Sequence, residues 1–129
     1  MTVGEKINTR QKFIAQMKVG RKDFSNVVFL EKIDLSGLNL NGFNFSGVSL
    51  QKANLANTSL SNANLSKANL SYAKVSDATL FGANLTDANL SYAELSNSNL
   101  SYANLTNTNL SHAELTRTDL SNAINRGSS

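Results

Sequence analysis

Glu94 and Glu114 stand twenty residues apart at equivalent places in a repetitive sequence, and paired carboxylates are the nearest thing in this chain to acid–base machinery. Retaining glycoside hydrolysis uses two carboxyl groups about 5–5.5 Å apart, one as acid and one as nucleophile. It also needs a concave, water-excluding site that perturbs their acidities. His112 is the single histidine, and cysteine is absent. That excludes histidine metal clusters, a thiolate zinc site, a cysteine nucleophile, a disulfide framework and any triad calling on a second histidine. A lone surface histidine reads as inert. The sequence also lacks a GxGxxG motif, a Walker-type loop and any metal-spaced carboxylate set. The expectation is a protein that is not an enzyme and holds no cofactor and no metal.

The elements that carry these side chains follow from a five-residue spacing. Leucine or a close substitute occupies every fifth position from Leu30 to Leu120, nineteen units in which only Phe45 and Val75 depart from leucine. On a helix each unit advances the leucine by about 140° and scatters the apolar positions around the cylinder. In a straight strand an odd repeat sends successive leucines to opposite faces. A short extended stretch followed by a corner satisfies the pattern, because the central residue and the one two before it then point the same way. The position two before the centre holds small residues from Ala53 to Ala123, with Thr58, Ser98, Thr108 and Thr118 the exceptions to alanine. Ser or Thr follows the centre in fourteen of nineteen units, and the next residue is often Asn, Gly or Asp. Such residues suit turns, because short polar side chains satisfy nearby backbone groups and glycine accepts positive φ. The chain therefore coils around its own leucines, with Leu65, Leu70, Leu80, Leu85, Leu90, Leu95, Leu100 and Leu105 in the core.

In register the middle reads AKVSD, ATLFG, ANLTD, ANLSY, AELSN, SNLSY, ANLTN, which resembles the pentapeptide-repeat family and its A(D/N)LXX motif over about residues 28–124. Lys74, Thr79, Glu94 and Glu114 replace the usual Asn or Asp. The resemblance implies an all-β fold, a right-handed quadrilateral β-helix with four pentapeptides per coil and a little under five coils. At about 4.8 Å per stacked strand the tower would be on the order of 25 Å tall. Gly20-Arg21-Lys22-Asp23-Phe24 is similar to the G-x-R-D-F lead-in of many bacterial, notably cyanobacterial, members.

Residues 1–32 carry a charge balance of +4 and residues 33–129 one of −1, so the basicity belongs to the N-terminal end. Asn8 and Gln11 resemble a capping box, and Ile7, Phe13, Ile14 and Met17 fall near one helical face before Gly20. This predicts a short capping helix over residues 9–19 within a lead-in of residues 1–27, followed by the repeats at 28–124 and a tail at 125–129. Val28, Ile33, Leu38, Phe43 and Val48 are larger than their later counterparts, as expected of a coil that packs against an added element. The tail is too short for a helical cap, so the open end of stacked strands invites a homodimer there. The sequence has neither a leader-like apolar core nor a run near 18 apolar residues, and the expected protein is cytoplasmic with no membrane span.

With four units per coil, as the resemblance implies, residues twenty apart stack. Asn44, Asn64, Asn84 and Asn104 then form one amide ladder, and Asn69, Asn89 and Asn109 another. Tyr72, Tyr92 and His112 share a column above Lys32 and Lys52, open to a ligand or a partner's side chain or simply covering a corner. Phe81 with Tyr102 is a second exposed apolar candidate beside Gly82, and Glu94 and Glu114 lie in a column with Lys74 on an outer wall. The leading expectation is a non-catalytic interaction or scaffold module for an unidentified protein partner. The resemblance also brings in DNA-mimicking members that bind DNA gyrase and confer quinolone resistance, but mimicry needs an acidic surface and the repeat region is only −1. The basic N-terminal helix offers a third reading, contact with nucleic acid.

Overall fold

The structure, a computed structural model, describes residues 4–129. Among them the regular elements are strand β1 (Glu5–Ile7), helix α1 (Arg10–Lys18) and strand β2 (Val27–Phe29), and β1 pairs with β2 in parallel. From Asp34 onward each five-residue unit contributes one turn and one isolated bridge, because a corner every fifth residue leaves no room for a longer strand. The bridges are parallel and join residues 20 apart: Asp34, Asn54, Lys74, Glu94 and Glu114 run up one wall, and Asn44, Asn64, Asn84, Asn104 and Ile124 up another. Four units thus make one turn of a coil.

Backbone hydrogen bonds account for that coil. Leu65 N–H donates to Asn84 O one turn on (2.8 Å), Asn84 N–H donates to Ala63 O one turn back (2.9 Å), and Ala83 N–H closes its own corner on Leu80 O (3.0 Å). The ladder reaches the last residue, since Ser129 N–H donates to Thr108 O and Leu110 N–H to Ser129 O. The second corner residue lies near φ +60°, which Asn and Asp tolerate better than bulkier side chains. Here Lys52, Lys67, Tyr72, Tyr92, Tyr102, His112 and Arg117 adopt it as well.

Each wall turns a leucine and a small residue inward, so the core sets leucine beside alanine on every side. Leu65, Leu70, Leu80, Leu85, Leu90, Leu95, Leu100 and Leu105 are buried, as are Ala53, Ala63, Ala68, Ala73, Ala78, Ala83, Ala88, Ala93 and Ala103. Polar intruders at the alanine places are satisfied by carbonyls: Thr58 Oγ1 donates to Leu55 O, Ser98 Oγ to Leu95 O and Thr108 Oγ1 to Leu85 O. At the N-terminal end the filling is aromatic. Phe13 of α1 lies on Phe24 at 4.6 Å between centroids and within 6.4 Å of Phe29, Phe43 and Phe45, so the helix closes the first turn with a ring rather than an aliphatic chain.

Three sequence-based expectations need correction. Leu30 and Val28 are exposed, at 58% and 50%, and Phe29 and Val27 take the inward places. The first bridge, Asp23 to Asn44, spans 21 residues where the others span 20, so one extra residue sits between Phe29 and Ile33 and shifts the earlier frame by one. Leu30 keeps the backbone duty of a centre, its C=O accepting from Ile33 N–H at 3.1 Å, while its side chain stays outside. The helix is capped by Thr9, not Asn8: Thr9 is extended at φ −139°, and its Oγ1 accepts from Lys12 N–H at 3.1 Å. Lys12 has no amide to reach back, so the box is not formed, and Ile7 belongs to β1 rather than to the helix. Gly20, at φ +87°, ends the helix with its N–H on Met17 O.

The asparagine columns stack, but their side chains do not form ladders. Asn64 Oδ1 accepts from Ser66 N–H, Asn84 Oδ1 from Thr86 N–H and Asn89 Oδ1 from Ser91 N–H, all at 2.9–3.1 Å. Each amide oxygen bends back two residues to hold its own corner, a shorter reach than the next turn.

Candidate recognition surface

The corner column is a consequence of the coil. A turn rises by about one strand spacing, roughly 4.8 Å, which is also a comfortable distance for offset aromatic rings. Tyr72 and Tyr92 accordingly stack with centroids 4.8 Å apart and planes 1° from parallel, and Tyr92 and His112 stack at 4.7 Å and 15°. Their backbones are pinned by the coil, Tyr72 N–H on Ser91 O and Tyr92 N–H on Ser111 O. Both tyrosines are about half exposed, and the buried core closes without either ring. Phe81 and Tyr102 meet at 5.3 Å with a 53° tilt on another corner. They straddle Gly82, where a Cβ would crowd Asn62 Oδ1 of the turn below, so a larger residue there would have to displace that side chain.

Below Tyr72 the same corner continues as Lys52 and Lys32. Lys52 Nζ pairs with Glu31 Oε1 at 3.0 Å. Tyr72, Lys32 and Lys52 face Lys74 and Asn54 of the adjoining wall across a groove of about 400 Å³. The sequence reading set Lys74 in a column with Glu94 and Glu114 and did not join it or Asn54 to the tyrosine corner, because both stand on the neighbouring wall. The usable signal was that a bridged residue lies only two positions past a corner residue, which sets Tyr72 beside Lys74.

Glu94 and Glu114 are bridge partners on an open wall and both are exposed, so the pair is adjacent but unenclosed. Among the described residues no three His, Asp, Glu or Cys side chains converge as metal ligands, and no helix is long and apolar enough to cross a membrane. The basic N-terminal segment is partly neutralised, with Arg21 on Glu5 at 2.8 Å and Arg10 on Asp34 at 3.4 Å, and Arg21 also lies 4.7 Å over the Phe24 ring. Hydrogen bonds from the Ser36 hydroxyl and N–H hold the Asp34 carboxyl below its ordinary value; the Ser25 N–H and hydroxyl lower Asp23, and the Ser121 hydroxyl and N–H lower Asp119.

Residues 30–66, 49–87 and 88–124 match the pentapeptide repeats family, in eight copies. The chain belongs to the pentapeptide-repeat family. Among solved pentapeptide-repeat structures, one from the Arabidopsis thaliana thylakoid lumen is 35% identical with a TM-score of 0.70, covering 72% of this chain and 65% of its own. HetL, a pentapeptide-repeat protein involved in heterocyst differentiation regulation in the cyanobacterium Nostoc, is 30% identical over 84% of this chain and 60% of its own, with a TM-score of 0.47. QnrB1, a plasmid-mediated fluoroquinolone resistance protein, is 21% identical with a TM-score of 0.53 over 97% of this chain and 70% of its own, a likeness of fold alone. The chain thus spans less than two thirds of the length of the first two pentapeptide-repeat relatives. Comparison with curated protein sequences returned no match.

Proposed function

We propose that this pentapeptide-repeat chain is a non-catalytic interaction module, a right-handed four-sided β-helix entered through the lead-in and capping helix of residues 1–27. Its corner strip, Tyr72, Tyr92 and His112, flanked elsewhere by Phe81 and Tyr102, meets a protein partner. The observation that carries this reading is the ring stack itself: spaced at 4.8 and 4.7 Å on a rigid corner, it adds nothing to a core already closed by leucine and alanine. Pre-ordered aromatic side chains contribute contact area at small entropic cost, as recognition surfaces require. The test is partner capture from the native host with the intact chain and with a Tyr72→Asn, Tyr92→Asn variant. Asparagine already fills the same corner place at Asn57 and Asn62, so the coil is kept. Loss of a partner supports the reading, whereas unchanged recovery of every partner overturns it.

A second contact is favoured by a separate observation. Leu115, Leu120 and Ile124 of the last turn are exposed, at 36%, 39% and 47%, and we assign a second copy of the chain to that face. Sedimentation would register a concentration-dependent dimer, and a monomer at every concentration would remove it. The gyrase-mimic reading gains no support, because the repeat region carries only −1 and Lys32, Lys52 and Lys74 cluster on one edge.

A further inference from the structure

The ring stack ends at Tyr72, and among the described residues no further ring lies on its side away from Tyr92. Its upper face is covered by Tyr92, and the corner residue beneath, Lys52, sends its ammonium group to Glu31 at 3.0 Å. Among the described residues the cation over an aromatic ring is Arg21 on Phe24, and none caps Tyr72. Tyr72 itself lines a groove of about 400 Å³ together with Lys32, Lys52, Asn54 and Lys74.

The chemistry of this groove is specific in two respects. A flat ring entering it continues an existing stack at the spacing the coil imposes, and the rigid corner holds Tyr72 ready for it. Lys32, Lys52 and Lys74 line the groove; the Glu31 carboxylate pairs with Lys52 and Glu94 stands one turn above Lys74, while neither Lys32 nor Lys74 is in an ion pair among the described residues. Asn54 uses its Oδ1 to hold Ala56 N–H at 3.1 Å, and its amide nitrogen makes no hydrogen bond to the described residues, so it is free to donate. Flat apolar area beside concentrated positive charge and an amide donor calls for a planar heterocycle carrying an anionic group. A volume near 400 Å³ lies in the range of small-molecule sites.

We infer that the groove below Tyr72 binds a nucleoside phosphate, the base stacked on Tyr72 on its side away from Tyr92 and the phosphates held by Lys32 and Lys74. The inference stands on the groove alone, so failure of partner capture leaves it untouched. It is tested by equilibrium titration of the intact chain at low ionic strength with adenosine 5′-diphosphate, adenosine and pyrophosphate. The nucleotide saturates one site, and each fragment binds at least about tenfold more weakly, since each lacks one of the two contacts. Tyr72→Asn weakens the nucleotide by at least about fivefold, the low end of a base–aromatic stack, and leaves pyrophosphate unchanged. Lys74→Asn weakens nucleotide and pyrophosphate alike and flattens the salt dependence. Lys67→Asn, on another corner, changes nothing. All three substitutions introduce a residue that the repeat already holds at the same place, as at Asn62 and Asn64, and matched far-ultraviolet spectra confirm the coil. The inference is overturned by absence of saturable nucleotide binding, by pyrophosphate binding as tightly as the nucleotide, or by Lys67→Asn weakening binding as much as Lys74→Asn.

Discussion

At the N-terminal end four phenylalanines crowd around Phe13 of the one helix, whereas from Ala53 to Leu105 the interior repeats leucine and alanine with little change. The first region solves a unique problem: a helix, a parallel strand pair and a 21-residue turn must join without a void, and large rings fill irregular space. The second solves one problem over and over, because each turn meets only its neighbours and sees the same environment. Specificity of packing is thus concentrated at one end, while the middle is regular enough to leave its corners free for other use.

The comparison is tested hardest by Phe13→Ala. Loss of the ring that touches four other phenylalanines is expected to cost about 3–5 kcal/mol, read from the denaturant midpoint. A cost below about 1 kcal/mol would mean that the helix merely rests on the tower. Leu85→Ala in the middle should cost about 2–5 kcal/mol, and because coupling runs only between adjacent turns it should also split unfolding into two phases. A single sharp transition would show that the two regions fold as one unit. Ala83→Leu probes the narrow column directly, with about 1–3 kcal/mol expected from overpacking beside Leu80 and Leu85. At the far end Leu120→Ala should cost less than about 1 kcal/mol, since Leu120 is 39% exposed. The smallest effect is acid sensitivity at Asp34, whose carboxyl is held below its ordinary value of 3.8 by Ser36 and by Arg10 of the helix. Its contribution is present above that value and lost as pH falls through the lower folded value. Asp34→Asn should therefore flatten the stability profile between about pH 5 and about pH 2, a change visible in thermal midpoints.

Much of this was readable in the letters. The five-residue period and the small residues two before each centre led to a coil with the leucines inside, because only one geometry satisfies that pattern. The failures share a cause, which is that an insertion or a turn conformation leaves no trace in side-chain type. Leu30 is a leucine in frame, so the extra residue before Ile33 was invisible, although Val27 and Phe29 stood one position away with equal apolar character. The asparagine columns were placed correctly, but a column says where a side chain stands and not which hydrogen bond it prefers; the neighbouring serine and threonine N–H groups are nearer than the next amide. The helix cap moved from Asn8 to Thr9 because both residue types cap well and only the backbone decides. For the site, the stacked column became legible once the family resemblance supplied four units per coil and so set residues twenty apart over one another. The groove was not, because it joins a corner to a wall and needs the coil in three dimensions.

The left-handed corner has a further consequence. Because fifteen non-glycine positions among the described residues share one backbone shape, from lysine and tyrosine to aspartate and arginine, the corner behaves like a rack of interchangeable type: the frame stays constant while the letters are reset. A lineage carrying such a rack can rewrite what its edge displays one residue at a time, never passing through a broken fold. Kinship of shape between such chains then carries no promise of a common ligand.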